Sequence, residues 1–135
     1  MEWIHDVRGS QYEQLLTTLL AQCDTVQCIV REDVEDYFED IAHELLAKNY
    51  VTSWPLTNQG HEAVPVLQYT FRFDYNTAEF LKHKQSSLFS WQMPHPEDLS
   101  FWKGETCLLA TCSHEQYLDI DETLREKIEP LFVRK

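Results

Sequence analysis

The segment Pro94–Glu115, "PHPEDLSFWKGETCLLATCSHE", decides how this chain is read. It pairs two aromatics, Phe101 and Trp102, with a Lys103-Gly104-Glu105 turn, two cysteines in C-x4-C spacing and a terminal His-Glu. Leu99–Trp102 and Thr106–Cys112 flank a three-residue connection with glycine where a positive φ is wanted, which predicts a hairpin. Along the second strand Leu108, Ala110 and Cys112 share one side, and Cys107 and Leu109 the other. Apolar residues on both sides predict an internal strand of a sheet. Burial of Phe101, Trp102 and their neighbours, at about 2–3 kcal/mol for each large side chain, accounts for the segment as packing.

Outward from this hairpin the chain alternates short strands with amphipathic helices. Met1–Val7 and Thr25–Glu32 read as strands, and residues 50–73 as two strands around Asn58-Gln59-Gly60. Pro65 belongs at an edge or at the start of the second of these. Ser10 and Glu13 form a capping box for a first helix whose Tyr12, Leu15, Leu16, Leu19 and Cys23 share one face. A second helix is expected from about Val34 to Lys48, capped by Asp33, with Val34, Phe38, Ile41 and Leu45 as its stripe. Asn76 and Glu79 repeat the capping box ahead of a short helix reaching about Gln85. A last helix starts near Glu122 with Leu124, Ile128 and Leu131. The expected fold is one α+β domain over residues 1–135: a mostly antiparallel sheet with the first two helices packed on one face.

The 135 residues suffice for one apolar core, and 43% hydrophobic content with three glycines argues for a folded chain. No run approaches the roughly 18 apolar residues of a membrane span. The N-terminus carries neither a basic leader nor an apolar core segment, so a cytosolic location is expected. There the four cysteines are expected as free, structural thiols. Cys23/Cys28 and Cys107/Cys112 both stand in C-x4-C spacing, which on a strand sends the thiols to opposite sides about 16 Å apart. No metal site and no cofactor is expected from these pairs.

With 23 acidic against 11 basic residues the net charge is −12, which disfavours phosphate backbones and anionic membranes. Beyond simple solubility, that charge favours something basic as partner, a positively charged protein or a cation. The acidic side of the expected second helix, Glu32, Glu35, Asp36, Glu39, Asp40 and Glu44, is the candidate binding surface, with no lysine between Arg31 and Lys48.

Three His-Glu dipeptides occur at His43, His61 and His114, but none continues into His-Glu-x-x-His. A composite site drawn from these histidines and acids is a remaining alternative. His114 stands out, at a strand end with Glu115 and Asp119 nearby, where a carboxylate can tune an imidazole for acid or base work. Cys112 and His114, two apart on a strand, are expected about 6–7 Å from each other, too far for a thiol–imidazole bond unless the strand has ended. Nucleophile elbows, phosphate loops and dinucleotide fingerprints are absent from the sequence.

Pro96-Glu97-Asp98-Leu99-Ser100-Phe101-Trp102, then Gly104, a hydrophobic strand and His114-Glu115, resembles a pattern in small uncharacterised bacterial proteins. It covers about 20 residues. The resemblance implies a bacterial α+β domain and carries no activity with it. It raises one geometric question: whether Glu97, Asp98, His114 and Glu115 meet at the outer ends of the hairpin. Two functions are therefore expected to compete. One is a non-catalytic, inhibitor- or immunity-like binder of a basic protein. The other is a small hydrolase or metal-dependent enzyme around His114, Glu115, Glu97 and Asp98.

Overall fold

The computed structural model describes residues 2–31, 36–60 and 62–132. Its main element is a seven-stranded antiparallel sheet. In chain order the strands are β1 (Glu2–Trp3), β2 (Thr25–Val30), β3 (Leu45–Val51), β6 (Val66–Arg72), β7 (Glu97–Lys103), β8 (Thr106–Cys112) and β9 (Tyr117–Ile120). A separate two-stranded hairpin, β4 (Ser53–Trp54) and β5 (Thr57–Asn58), lies between β3 and β6 in sequence. The spatial order of the large sheet is β1-β9-β8-β7-β2-β6-β3. The helices are α1 (Ser10–Leu20), α2 (Tyr75–Lys84) and α3 (Glu122–Ile128). The architecture is α+β.

The β7–β8 hairpin forms as its turn chemistry dictates. Gly104 sits at φ 57, where a side chain would be strained, and its amide donates to the Asp24 carboxylate at 3.0 and 3.2 Å. β8 lies between β7 and β9, so it is internal. Phe101, Leu109 and Ile120 face one another across three adjacent strands and are fully or nearly fully buried. They join Val26, Cys28 and Val30 of β2, Leu15, Leu16 and Leu19 of α1, Leu81 of α2 and Leu124 of α3 in one apolar cluster. All four cysteines are free thiols.

Three local expectations are corrected. Residues 36–51 do not continue a helix. A short 3₁₀ segment, Glu39–Glu44, gives way directly to β3. Asp36 stands at φ 68, outside helical backbone, and Leu45–Val51 pairs along β6, so ladder formation overrides the helical spacing of Phe38, Ile41 and Leu45. Phe38 instead lies over Tyr69 and Phe71, with ring centroids 5.5 and 4.8 Å away. The proposed cap Asp33 and the stripe residue Val34 fall outside the described residues.

The caps also move. Gly9 at φ 61 precedes α1 and its carbonyl accepts from Glu13 N, so Ser10 is already inside the helix. Asp74, not Asn76, caps α2 by accepting from Thr77 N at 3.0 Å. Pro65 stands at the entry to β6, one of the two positions expected of it; the edge alternative does not hold, because β6 lies between β2 and β3.

Candidate functional site

The outer end of the β7–β8 hairpin gathers the polar residues of the chain's most distinctive segment. On β7, Ser100 pairs with Gln27 but Glu97 pairs with Ile29, so an extra residue bulges between them. Asp98 takes the strain of this bulge at φ 55, a conformation aspartate tolerates better than most side chains. Its carboxylate is buried and ties three segments together. Oδ2 accepts from Trp54 Nε1 and Oδ1 from Ser113 N, both at 2.8 Å. Glu97, also buried, pairs with the Arg31 guanidinium, which in turn lies 5.4 Å from the centre of the Trp54 ring. The small β4–β5 hairpin is thereby fixed to the large sheet by its tryptophan.

β8 ends at Cys112, and Ser113–Glu115 turns at once into a 3₁₀ segment closed by Gln116 at φ 55. The turn brings the imidazole back. His114 Nδ1 lies 3.7 Å from Cys112 Sγ, much closer than two strand residues would stand, because the strand has ended between them. Thr57 Oγ1 is 3.8 Å from the same sulfur. Donor atoms of Asp98, Cys112 and His114 all fall within 4.8 Å of one another. On the far side of the ring, His114 Nε2 is 3.9 Å from Glu115 Oε1. Asp98 and Cys112 are buried while His114 is exposed, so the group reaches from the interior to solvent.

Of the four residues expected here, Asp98 and His114 meet, Glu115 adjoins His114, and Glu97 is held apart by Arg31. Burial is the main cause that pushes the Cys112 thiol up, with the Thr57 contact opposing it. A thiol with raised pKa is protonated at neutral pH, so the structure gives Cys112 no thiolate character for nucleophilic attack. Ser113 Oγ is fully buried and has no hydrogen-bond partner among the described residues.

The acidic stretch has a different fate. Glu32 and Glu35 lie outside the described residues. Asp36, Glu39 and Asp40 are exposed. Glu44 is buried instead, 3.8 Å from Arg72 Nη1 and from His43 Nε2. Residues 36–44 therefore present no continuous helical acid face, since they are not α-helical and Glu44 points inward. Asp40 does line an open cleft of about 540 Å³, with His43 on its own segment and Glu79, His83 and Lys84 of α2. His61 is outside the described residues, and no group of three close donors among the described residues includes His43.

Trp54, Arg31 and the ligand-like placement of Cys112 were not legible as site features. The Cys112-x-His114 spacing was in view, but its meaning turned on where β8 stops. Trp54 and Arg31 are far from the hairpin in sequence and carry no local motif. No family model, curated protein or solved structure matches the chain.

Proposed function

We propose that this chain is a non-catalytic acidic protein that engages a basic protein partner, in the manner of an inhibitor or immunity protein. The observation that carries this reading is the net charge of −12 together with a short segment that exposes three carboxylates, Asp36, Glu39 and Asp40. Arg31, Arg72 and Arg125 are each in ion pairs with the chain's own carboxylates. Lys48 and Lys84 lie over tyrosine rings at 4.8 Å. Asp36, Glu39 and Asp40, exposed within five residues, have no ion pair among the described residues. Negative potential of this kind steers a positively charged surface and speeds its association. In this reading α1 and α2 cover one face of the sheet as scaffold. The protein works in the cytosol of a bacterium and binds neither nucleic acid nor membrane. No described helix is long and apolar enough to cross a bilayer.

The test is capture of a basic protein by the immobilised chain, eluted with rising salt. The expected result is a partner lost at moderate ionic strength and lost at low salt from the triple variant Asp36→Asn, Glu39→Gln, Asp40→Asn. Retention by that variant refutes the assigned surface. The convergence of Asp98 and His114 favours a second reading, a small hydrolase or metal-dependent enzyme centred on His114, Glu115 and Asp98. It requires turnover that His114→Ala abolishes while the melting temperature is unchanged.

A further inference from the structure

We propose that Asp98, Cys112 and His114 form a binding site for a zinc-like divalent transition metal at the outer end of the β7–β8 hairpin. The donor set comes first. A sulfur, an imidazole nitrogen and a carboxylate oxygen are the three side-chain donors that zinc takes, and this mixture does not suit calcium or magnesium. The separations fit as well. Zn–S and Zn–N bonds at tetrahedral angles place sulfur and nitrogen about 3.6 Å apart. Cys112 Sγ and His114 Nδ1 stand 3.7 Å apart, and all three donor atoms lie within 4.8 Å.

The surroundings are those of a metal ligand set. Each Asp98 oxygen accepts one hydrogen bond, from Trp54 Nε1 or Ser113 N, which fixes the carboxylate and leaves further lone pairs on both oxygens. Nδ1 of His114 faces the sulfur, and Nε2 faces the Glu115 carboxylate at 3.9 Å. A carboxylate behind a ligating imidazole orients the ring and raises its basicity. Binding displaces the Cys112 thiol proton to solvent and leaves charges of −1 from sulfur and −1 from Asp98 against the ion's +2. Three protein donors leave a fourth position for water, and the exposure of His114 puts the group in reach of solvent. The assignment does not depend on what the acidic surface binds.

The experiment titrates the purified, reduced full-length chain with Zn²⁺ alone by calorimetry and with Co²⁺ alone by absorption. One Zn²⁺ per chain and a thiolate-to-cobalt charge-transfer band are expected. His114→Ala and Cys112→Ser each weaken Zn²⁺ binding by at least about tenfold, and Glu115→Gln by about tenfold. Cys107→Ser keeps the band. His114 is exposed, so His114→Ala retains the fold and decides the matter if Cys112→Ser does not fold. Absence of stoichiometric Zn²⁺, unchanged affinity in His114→Ala, or a band that survives Cys112→Ser overturns the proposal.

Discussion

The apolar core and the polar cluster beneath Trp54 are built from the same strands and hold together in different ways. In the core, Phe101, Leu109 and Leu118 are buried against many neighbours, and no single contact is decisive. The polar atoms that enter it are self-contained: Tyr12 Oη donates to Leu81 O at 2.7 Å and accepts from Trp91 Nε1 at 2.9 Å. Around Asp98 and Glu97 the stabilisation rests on a few directed pairs, each linking segments distant in sequence. Truncation in the core removes area and leaves a cavity that neighbours partly fill. Truncation in the polar cluster strands a buried partner, which costs its full desolvation. The core explains why the chain folds. The cluster ties the β4–β5 hairpin and the end of β8 to β7.

The largest effect is expected from Phe101→Ala. The side chain is fully buried between Val26 on β2 and Leu109 on β8, so its loss costs about 3–5 kcal/mol in urea unfolding. A loss below about 1 kcal/mol would mean that this part of the core is not packed as described. Next is Asp98→Ala, which leaves the Trp54 indole and the Ser113 amide without their acceptor, at about 2–4 kcal/mol. Asp98→Asn sharpens the contrast. It keeps the volume and tolerates the positive φ but presents an amide NH2 to one of two donors, so it recovers only part of the loss. If Asp98→Asn were as stable as the parent, directed pairing would not be what holds this cluster.

The hairpin at the centre of both regions was legible because its information is local. Alternating residues and a glycine at the turn specify Leu99–Trp102 and Thr106–Cys112 with no help from the rest of the chain, whereas the extension of β7 to Glu97 through the bulge at Asp98 was not specified locally. Residues 36–51 were not, because Phe38, Ile41 and Leu45 fit a helical period, yet only Leu45 enters a ladder, opposite Phe71, and the β6 partner that decides this is distant in sequence. The same division runs through the site. Asp98 and His114 could be placed at neighbouring hairpin ends from the register. Whether Cys112 faced His114 depended on one peptide at which the strand stops, and period-2 geometry gives no signal for that. Trp54 and Arg31 enter through tertiary contact alone.

A smaller effect belongs to alkaline pH. Burial raises Cys23 to about 12 and Cys107 to about 11 from the ordinary 9.0, and pushes Cys28, fully enclosed in the core, up as well. A thiol whose folded pKa exceeds its unfolded one favours the folded state below pH 9. That advantage is lost as pH rises through the window from 9 to about 12. Urea midpoints measured across this range are expected to fall, and the Cys23→Ala variant, whatever its starting stability, is expected to fall less steeply. An identical slope would show that Cys23 is not sealed from water.

The smallest effect tests the edge of the core, where α3 closes over it through Leu124 and Ile128. Asp121 caps this helix: its carboxylate accepts from the Thr123 hydroxyl and from Thr123 N, and these bonds hold its pKa below the ordinary 3.8. A depressed carboxyl stabilises the fold above its unfolded pKa and loses that contribution as pH falls through the lower folded value. Below pH 4, α3 is therefore expected to fray before the sheet is disturbed, seen as a loss of helical ellipticity with tryptophan fluorescence unchanged. Asparagine is as good a cap as aspartate but does not titrate there. Asp121→Asn should keep the helix at neutral pH and remove this acid-sensitive step, whereas Asp121→Ala should show frayed ends at both pH values. If helix and fluorescence were lost together in the parent, α3 would be part of the same cooperative unit as Phe101 and Leu109.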